Sequence, residues 1–118
     1  MSAVTIYHNP NCGSSKNAVE IADGLGADVE IVQYLKRPLD EPALRDVLGK
    51  LEDPHTDLVR RDSFFKKLGL TDDDVATADQ IVAILVEHPR LMQRPLLVAA
   101  DRALIGRPKE RVAELLGG

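Results

Sequence analysis

The chain contains a single cysteine, Cys12, and its surroundings in the sequence are those of a reactive thiol. Cys12 ends a polar, proline-containing stretch, residues 8–12, and directly precedes a predicted helix. The positive end of a helix dipole and its free N–H groups favour the thiolate form of cysteine. Three possible hydrogen-bond donors, His8, Ser15 and Asn17, lie nearby. The alternative is a small buried core cysteine, but the polar neighbours favour a nucleophile.

Arginine outnumbers lysine, nine residues against six, although the chain carries a net charge of −4. Arg60, Arg94 and Arg107 each lie at a predicted element boundary, and the last two precede prolines. A planar guanidinium group offers paired donors that match a tetrahedral oxyanion better than a lysine ammonium group does. Most surface arginines serve only solvation, and spacing alone leaves open whether these three converge on Cys12.

The residues around Cys12 exclude several kinds of cysteine chemistry. A phosphatase-type loop needs Cys-x5-Arg, and the residue six positions after Cys12 is Ala18. A Cys-x-x-Cys redox pair fails because Ser15 occupies the second position. A single cysteine also excludes an intramolecular disulfide and a cysteine-rich zinc site. Because the three histidines show no metal-ligand spacing, we expect no metal.

Composition limits the class of protein. A chain of 118 residues, 44% hydrophobic and 29% charged, suits one folded domain with a modest core. With 3% aromatic residues and a pI near 5.3, we expect no binding to nucleic acid. The longest apolar run, residues 81–86, is far shorter than the roughly 20 residues that cross a bilayer. The first residues contain no basic leader or signal-peptide core, so we expect a cytoplasmic protein without a membrane segment.

The first third of the chain alternates strand and helix patterns. Residues 4–7 and 29–34 are rich in β-branched residues and predict two strands. The segment after Cys12 predicts a helix that Ser14 or Ser15 would cap. The predicted inward face of that helix consists of Ala18, Val19, Ile21, Ala22 and Leu25.

The rest of the chain predicts a helical middle followed by a hairpin and a last helix. In the middle, the predicted inward residues are Leu58, Val59, Phe64, Phe65 and Leu68. The elements are a helix that opens at residues 40–42, short helices within 56–70, a buried helix at 79–86, strands at 96–100 and 103–106, and a helix that starts at 107–108.

The order β-α-β-α, a helical insertion at about residues 41–90, and then β-β-α matches the thioredoxin layout. We therefore predict an α/β, thioredoxin-like fold with a central mixed four-stranded sheet and flanking helices, in a single domain at 1–118. In that layout the loop before the third strand commonly carries a cis-proline, so we expect a cis bond between Arg94 and Pro95. No segment shows an unexplained exposed apolar stripe, so we expect a monomer.

Residues 7–17, Tyr-His-Asn-Pro-Asn-Cys-Gly-Ser-Ser-Lys-Asn, closely resemble the signature of glutaredoxin-dependent arsenate reductases, the ArsC family. The resemblance covers almost the whole chain. Lys16 is a departure, since the family often has arginine there, but the charge is unchanged. The later blocks that resemble the family, in the same order, are residues 58–61, 68–70, 88–95 and 105–108.

The resemblance implies an enzyme that reduces arsenate to arsenite. In the implied site, Cys12 attacks arsenic. The oxyanion, and later the arsenite adduct, would be held by Arg60, Arg94 and Arg107. His8 and Ser15 would help to keep Cys12 as thiolate. Glutathione, or another low-molecular-weight thiol, would be the co-substrate that forms a Cys–As–glutathione adduct, and a glutaredoxin would reduce that adduct. No bound cofactor is implied, and a single cysteine agrees with resolving thiols that come from outside.

Two other functions remain open from the sequence. Some proteins of the same superfamily are non-catalytic regulators that bind RNA polymerase. The three arginines favour the enzyme, and Ser15 is incompatible with the Cys-x-x-Cys switch of such a regulator. The other alternative is a thiol enzyme that acts on a different small oxyanion.

Overall fold

The computed structural model describes residues 4–116, and its centre is a mixed four-stranded sheet in the order β2-β1-β3-β4. Strands β1 and β2 are parallel, whereas β3 is antiparallel to both β1 and β4. The strands are β1 (Val4–His8), β2 (Val29–Gln33), β3 (Leu96–Val98) and β4 (Ala103–Ile105). The sheet therefore confirms the predicted α/β, thioredoxin-like architecture.

Helices connect all the strands except β3 and β4, which form a hairpin. Everything regular between β2 and β3 is helical. The α-helices are α1 (Gly13–Gly24), α2 (Glu41–Lys50), α3 (Ser63–Lys67), α4 (Ala78–Glu87) and α5 (Glu110–Leu116); the short 3₁₀ helices are His55–Leu58, Asp72–Val75 and Pro89–Leu91. None of the helices described within residues 4–116 has the length and apolarity needed to cross a membrane.

A side chain caps the N-terminus of α2, whereas within residues 4–116 no side-chain cap is present at the N-terminus of α1. In α2, the carboxylate of Asp40 accepts a hydrogen bond from the N–H of Ala43 at 3.0 Å, as an N-cap residue should. In α1 the N-cap residue is Cys12, so the prediction of Ser14 or Ser15 as the cap is wrong. Ser15 lies inside the first turn, and its hydroxyl is used by the preceding loop instead.

Each face of the sheet is covered by its own hydrophobic cluster. One cluster, built largely from aliphatic side chains and Tyr34 and Phe65, packs α2 and α4 against one face. The other packs α1 and α5 against the opposite face and includes Ile6 of β1. Leu25 and Leu68 were predicted to face inward but are exposed, because each lies at a C-cap, past the last turn of its helix.

The β3–β4 hairpin is flanked by two cis peptide bonds. The bond between Arg94 and Pro95 is cis, as predicted, and so is the bond between Arg107 and Pro108, which the sequence did not indicate. Because β3 and β4 are antiparallel, the residues just before β3 and just after β4 lie at the same end of the sheet.

Gly106 lies where the hairpin passes closest to α5. Its N–H donates to the carbonyl oxygen of Pro95 at 2.9 Å. A β-carbon at this position would meet Pro95 Cγ at 2.8 Å, Leu97 Cδ1 at 3.0 Å and Val112 Cγ2 at 3.0 Å. Distances of this size leave no room for a side chain, so the position requires glycine.

We expect Gly106→Ala to lower the free energy of unfolding by about 1–3 kcal/mol, because the added methyl group overpacks a filled site. Urea denaturation measures the change. Gly49→Ala is the matched control, since a β-carbon there meets no atom within 4 Å. The control should leave stability unchanged or raise it by up to about 1 kcal/mol, since alanine is the better helix former. Wild-type stability in Gly106→Ala would contradict the close contact.

Candidate active site

Cys12 lies at the junction between β1 and α1, where the loop enters the helix. Its own N–H donates to the carbonyl oxygen of Asn9 at 3.0 Å, and its carbonyl oxygen accepts from the N–H of Lys16 at 2.9 Å. The residue is 8% exposed. The fold therefore places an almost buried sulfur at the positive end of a helix.

Two of the predicted arginines meet at this sulfur. Arg107 Nη2 lies 3.5 Å from Cys12 Sγ, and Arg107 Nε donates to the carbonyl oxygen of Arg94 at 2.8 Å. Arg94 comes directly before Pro95 at the start of the hairpin, and Arg107 follows its end. The antiparallel pairing of β3 with β4 thus brings the Arg107 side chain to the backbone of Arg94, 13 positions away in the sequence.

These charges change the acidity of the thiol. Burial raises the pKa of Cys12, but hydrogen bonding from Arg94, the Ser15 backbone N–H and the positive charges of Arg94 and Arg107 together lower it below its ordinary value. The hydrogen bond from Arg94 is the largest of the effects that lower the pKa of Cys12. The thiolate, which is the nucleophilic form, is therefore favoured.

The two other predicted helpers of Cys12 form a hydrogen-bonded network inside the loop. Ser15 Oγ is fully buried, accepts from the N–H of Asn9 at 2.9 Å and lies 2.6 Å from His8 Nδ1. Burial lowers the pKa of His8, and the positive charge of Lys16 lowers it further, against the opposing effect of the Ser15 hydrogen bond. His8 and Ser15 thus hold the loop that carries Cys12, and within residues 4–116 neither side chain has a hydrogen bond to Sγ.

The third predicted arginine, Arg60, lies in a cleft that shares Arg107 with the Cys12 site. Arg60 N donates to the carbonyl oxygen of Leu91 at 2.8 Å, and its guanidinium group forms an ion pair with Asp62 at 3.1 Å. The cleft has a volume of about 330 Å³ and is also lined by Arg107. Cys12 is not part of its lining. Arg107 is therefore the residue that links the cleft to the sulfur.

Tyr34 contacts Arg94, although nothing in its sequence surroundings predicts this contact. Its hydroxyl is buried and accepts from Arg94 Nη1 at 3.5 Å. Arg94 Nε is also buried, and within residues 4–116 it has no hydrogen-bond partner. A buried donor without a partner is unfavourable in the absence of a ligand, so the site is suited to an additional acceptor. Tyr34 was predicted as the last residue of a strand, whereas β2 ends at Gln33, and strand composition carries no signal for a contact with Arg94.

The arrangement is suited to nucleophilic attack by sulfur on a centre that bears anionic oxygens. Cys12 supplies a thiolate, and Arg94 and Arg107 supply fixed positive charge where the oxygens of such a centre would lie. Within residues 4–116, no three histidine, cysteine, aspartate or glutamate side chains are grouped so that they could hold a metal ion.

We expect Arg94→Gln to slow the alkylation of Cys12 by iodoacetamide at neutral pH about threefold or more, because the thiolate fraction falls when the pKa of Cys12 rises. In the wild type, the lowered pKa keeps the rate high as the pH falls, until the pH passes through that pKa. In Arg94→Gln, where the pKa of Cys12 is higher, the alkylation rate begins to fall at a higher pH. Rate constants across the pH range measure this shift.

Arg45→Gln is the control for this experiment, since Arg45 lies on the surface in ion pairs with Glu41 and Asp79. Its profile should coincide with that of the wild type. An unchanged profile in Arg94→Gln would show that Arg94 does not act on the sulfur.

The chain is similar to known proteins over nearly its whole length, and the ArsC family model matches residues 7–115. The arsenate reductase of Neisseria meningitidis serogroup B is 32% identical over 118 residues, which cover 98% of this chain and 100% of the relative. The protein named "Uncharacterized protein YfgD" from Escherichia coli strain K12 is 37% identical over 116 residues, 97% of each chain. The solved structure of an arsenate reductase from Vibrio cholerae has a TM-score of 0.84 at 30% identity, covering 96% of this chain and 97% of that chain. The chain therefore belongs to the ArsC family.

Proposed function

We propose that this protein is an arsenate reductase that uses Cys12 as its nucleophile. The observation that carries the proposal is the meeting of Arg94 and Arg107 at an almost buried thiol whose pKa is lowered. Arsenate is a tetrahedral oxyanion, and its arsenic atom is an electrophile with affinity for sulfur. Relatives named arsenate reductase at 32–33% identity support the same substrate.

The proposed reaction begins with attack by the Cys12 thiolate on arsenic(V). A sulfur–arsenic bond forms, and one arsenate oxygen leaves as water after protonation. The thiol of glutathione then displaces a second oxygen, again as water, which gives the Cys–As–glutathione adduct. Neither step changes the oxidation state of arsenic, so both need the guanidinium groups only to stabilise charge on oxygen.

Reduction follows when a glutaredoxin thiolate attacks the glutathione sulfur of the adduct. The new bond is a mixed disulfide, and the electron pair of the broken sulfur–arsenic bond stays on arsenic, which becomes arsenic(III). Water then displaces Cys12 from arsenic, releasing arsenite and restoring the thiol. Two external thiols are thus oxidised for each arsenate that is reduced.

The need for an external thiol follows from the sequence, because Cys12 is the only cysteine in the 118 residues. No second thiol of this chain is present to form a disulfide with Cys12. Glutathione and glutaredoxin are the proposed partners, and the protein would need no bound cofactor. An equivalent pair of a small thiol and a thiol carrier would satisfy the same chemistry.

The three arginines have separate proposed roles. Arg94 and Arg107 would bind the oxyanion against the sulfur, and the buried Nε of Arg94, which has no partner within residues 4–116, is a further donor on that side. Arg60, in the adjoining cleft, would hold an oxygen that points away from Cys12. His8 and Ser15 would keep the loop in the shape that presents the thiolate.

We expect arsenate-dependent oxidation of NADPH when the protein is coupled to glutathione, glutaredoxin and glutathione reductase. Cys12→Ser should reduce turnover at least about a hundredfold, because the nucleophile is removed. Repeating the assay with thioredoxin and thioredoxin reductase identifies the thiol carrier. Wild-type turnover in Cys12→Ser would overturn the mechanism, and no turnover with either carrier would favour a thiol enzyme for a different oxyanion.

We expect Arg60→Gln to raise the KM for arsenate about tenfold, because a charge-assisted hydrogen bond to the oxyanion is lost. Alkylation of Cys12 by iodoacetamide should be unchanged, since Arg60 has no contact with the sulfur in the described chain. The pair of measurements separates substrate binding from thiol activation. A wild-type KM would remove Arg60 from the proposed site.

A further inference from the structure

Asp53, which follows α2, uses both carboxylate oxygens to bind the end of the hairpin. Oδ2 accepts from the N–H of Ile105 at 3.0 Å, and Oδ1 forms an ion pair with Arg111 Nη1 at 2.7 Å. The Asp53 side chain is 15% exposed. It therefore satisfies an amide of β4, an edge strand that would otherwise present this N–H without a partner strand.

Arg111, at the start of α5, completes the same arrangement from the other side of the hairpin end. Its Nη1 donates to the carbonyl oxygen of Ile105 at 2.9 Å and lies 3.5 Å from that of Arg107. Both backbone polar groups of Ile105 are thus held by the Asp53–Arg111 pair. One guanidinium nitrogen connects a carboxylate with the two carbonyl groups that flank Gly106.

The segment held in this way carries Arg107, the residue that contacts Cys12. Arg107 is an exposed residue, and its guanidinium group is bonded to the backbone of Arg94. Its Nε bond to Arg94 and its 3.5 Å contact with Sγ both depend on where the backbone leaves β4. The backbone exit is determined by Gly106 on the inner side and by the Asp53–Arg111 pair on the outer side.

We propose that Asp53 and Arg111 form a positioning pair that sets the reach of Arg107 to Cys12. Neither residue contacts the sulfur, and both act through the backbone of residues 105–107. This inference rests on one part of the proposed function, the role of Cys12 as nucleophile. It does not depend on arsenate being the substrate. If the pair acts in this way, the positive charge beside Cys12 Sγ depends on Asp53 and Arg111, which lie outside the Cys12 site.

The first test is Arg111→Lys, which keeps the charge but loses the planar group that can bind a carboxylate and carbonyl oxygens together. Alkylation of Cys12 is measured across pH with neutral iodoacetamide and with anionic iodoacetate. We expect both rates at neutral pH to fall, and the ratio of the iodoacetate to the iodoacetamide rate to fall about threefold, because less positive charge lies beside the sulfur. The groups that govern this reactivity are Arg94 and Arg107, with His8 and Lys16 in the same loop region.

The second test, Asp53→Asn, separates position from charge. Removing a negative charge would by itself speed the reaction of an anionic reagent. If Asp53 acts by position, the variant slows alkylation instead, since the ion pair that orients Arg111 is lost. The two explanations therefore predict opposite signs.

Glu52→Gln is the matched control, because Glu52 precedes Asp53 and forms an ion pair with Arg102 in the same hairpin, away from Cys12. Its two alkylation rates should equal those of the wild type. Circular dichroism identifies any variant that fails to fold, and either Arg111→Lys or Asp53→Asn is sufficient for the test. Unchanged reagent ratios in a folded variant, or faster alkylation in Asp53→Asn, would overturn the proposal. Because no arsenate is used, neither result bears on the proposed substrate.

Discussion

The rest of the site depends on the need to stabilise an anionic sulfur that is almost buried. Desolvation alone would raise the pKa of Cys12, and the helix start contributes mainly through the Ser15 N–H. Together with that N–H, two guanidinium groups outweigh the desolvation, and both lie at the ends of one hairpin. An antiparallel hairpin is well suited to this task because its first and last residues meet at one end, whatever the length of the turn between them.

The other elements fix the position of the Cys12 loop relative to the β3–β4 hairpin. On one side, β1 ends in a loop whose buried Ser15 hydroxyl ties Asn9 to His8, so the loop is shaped before it reaches Cys12. On the other side, Gly106 lets the hairpin approach α5 too closely for any side chain. The helical segments between β2 and β3 add Arg60 to the cleft, through backbone bonds that tie residues 58–60 to residues 91–93.

Much of the fold and part of the site could be predicted from the sequence. Apolar periodicity and turn residues are local signals. They predicted all four strands, and they predicted that Cys12 lies directly before helix α1. The cap of α1 was wrong because a serine hydroxyl can bind the helix or the loop, and only the folded loop decides between them. The roles of Tyr34, Asp53 and Arg111 were missed for a different reason. Tyr34 contacts a residue 60 positions away, and Asp53 contacts residues 52 and 58 positions away. Spacing contains no information on such contacts.

Arg107 contacts the sulfur and is also exposed to solvent. A buried thiolate needs a cation close to it, whereas the proposed oxyanion and external thiol would need access from solvent. Arg94 meets the first need from a partly buried position, backed by the hydroxyl of Tyr34. Arg107 meets both, since it is exposed, contacts Sγ and lines the cleft that also contains Arg60. The bond from its Nε to the carbonyl oxygen of Arg94 holds the exposed guanidinium group, and the proposed role of the bonds at the end of β4 is to place the backbone for that contact.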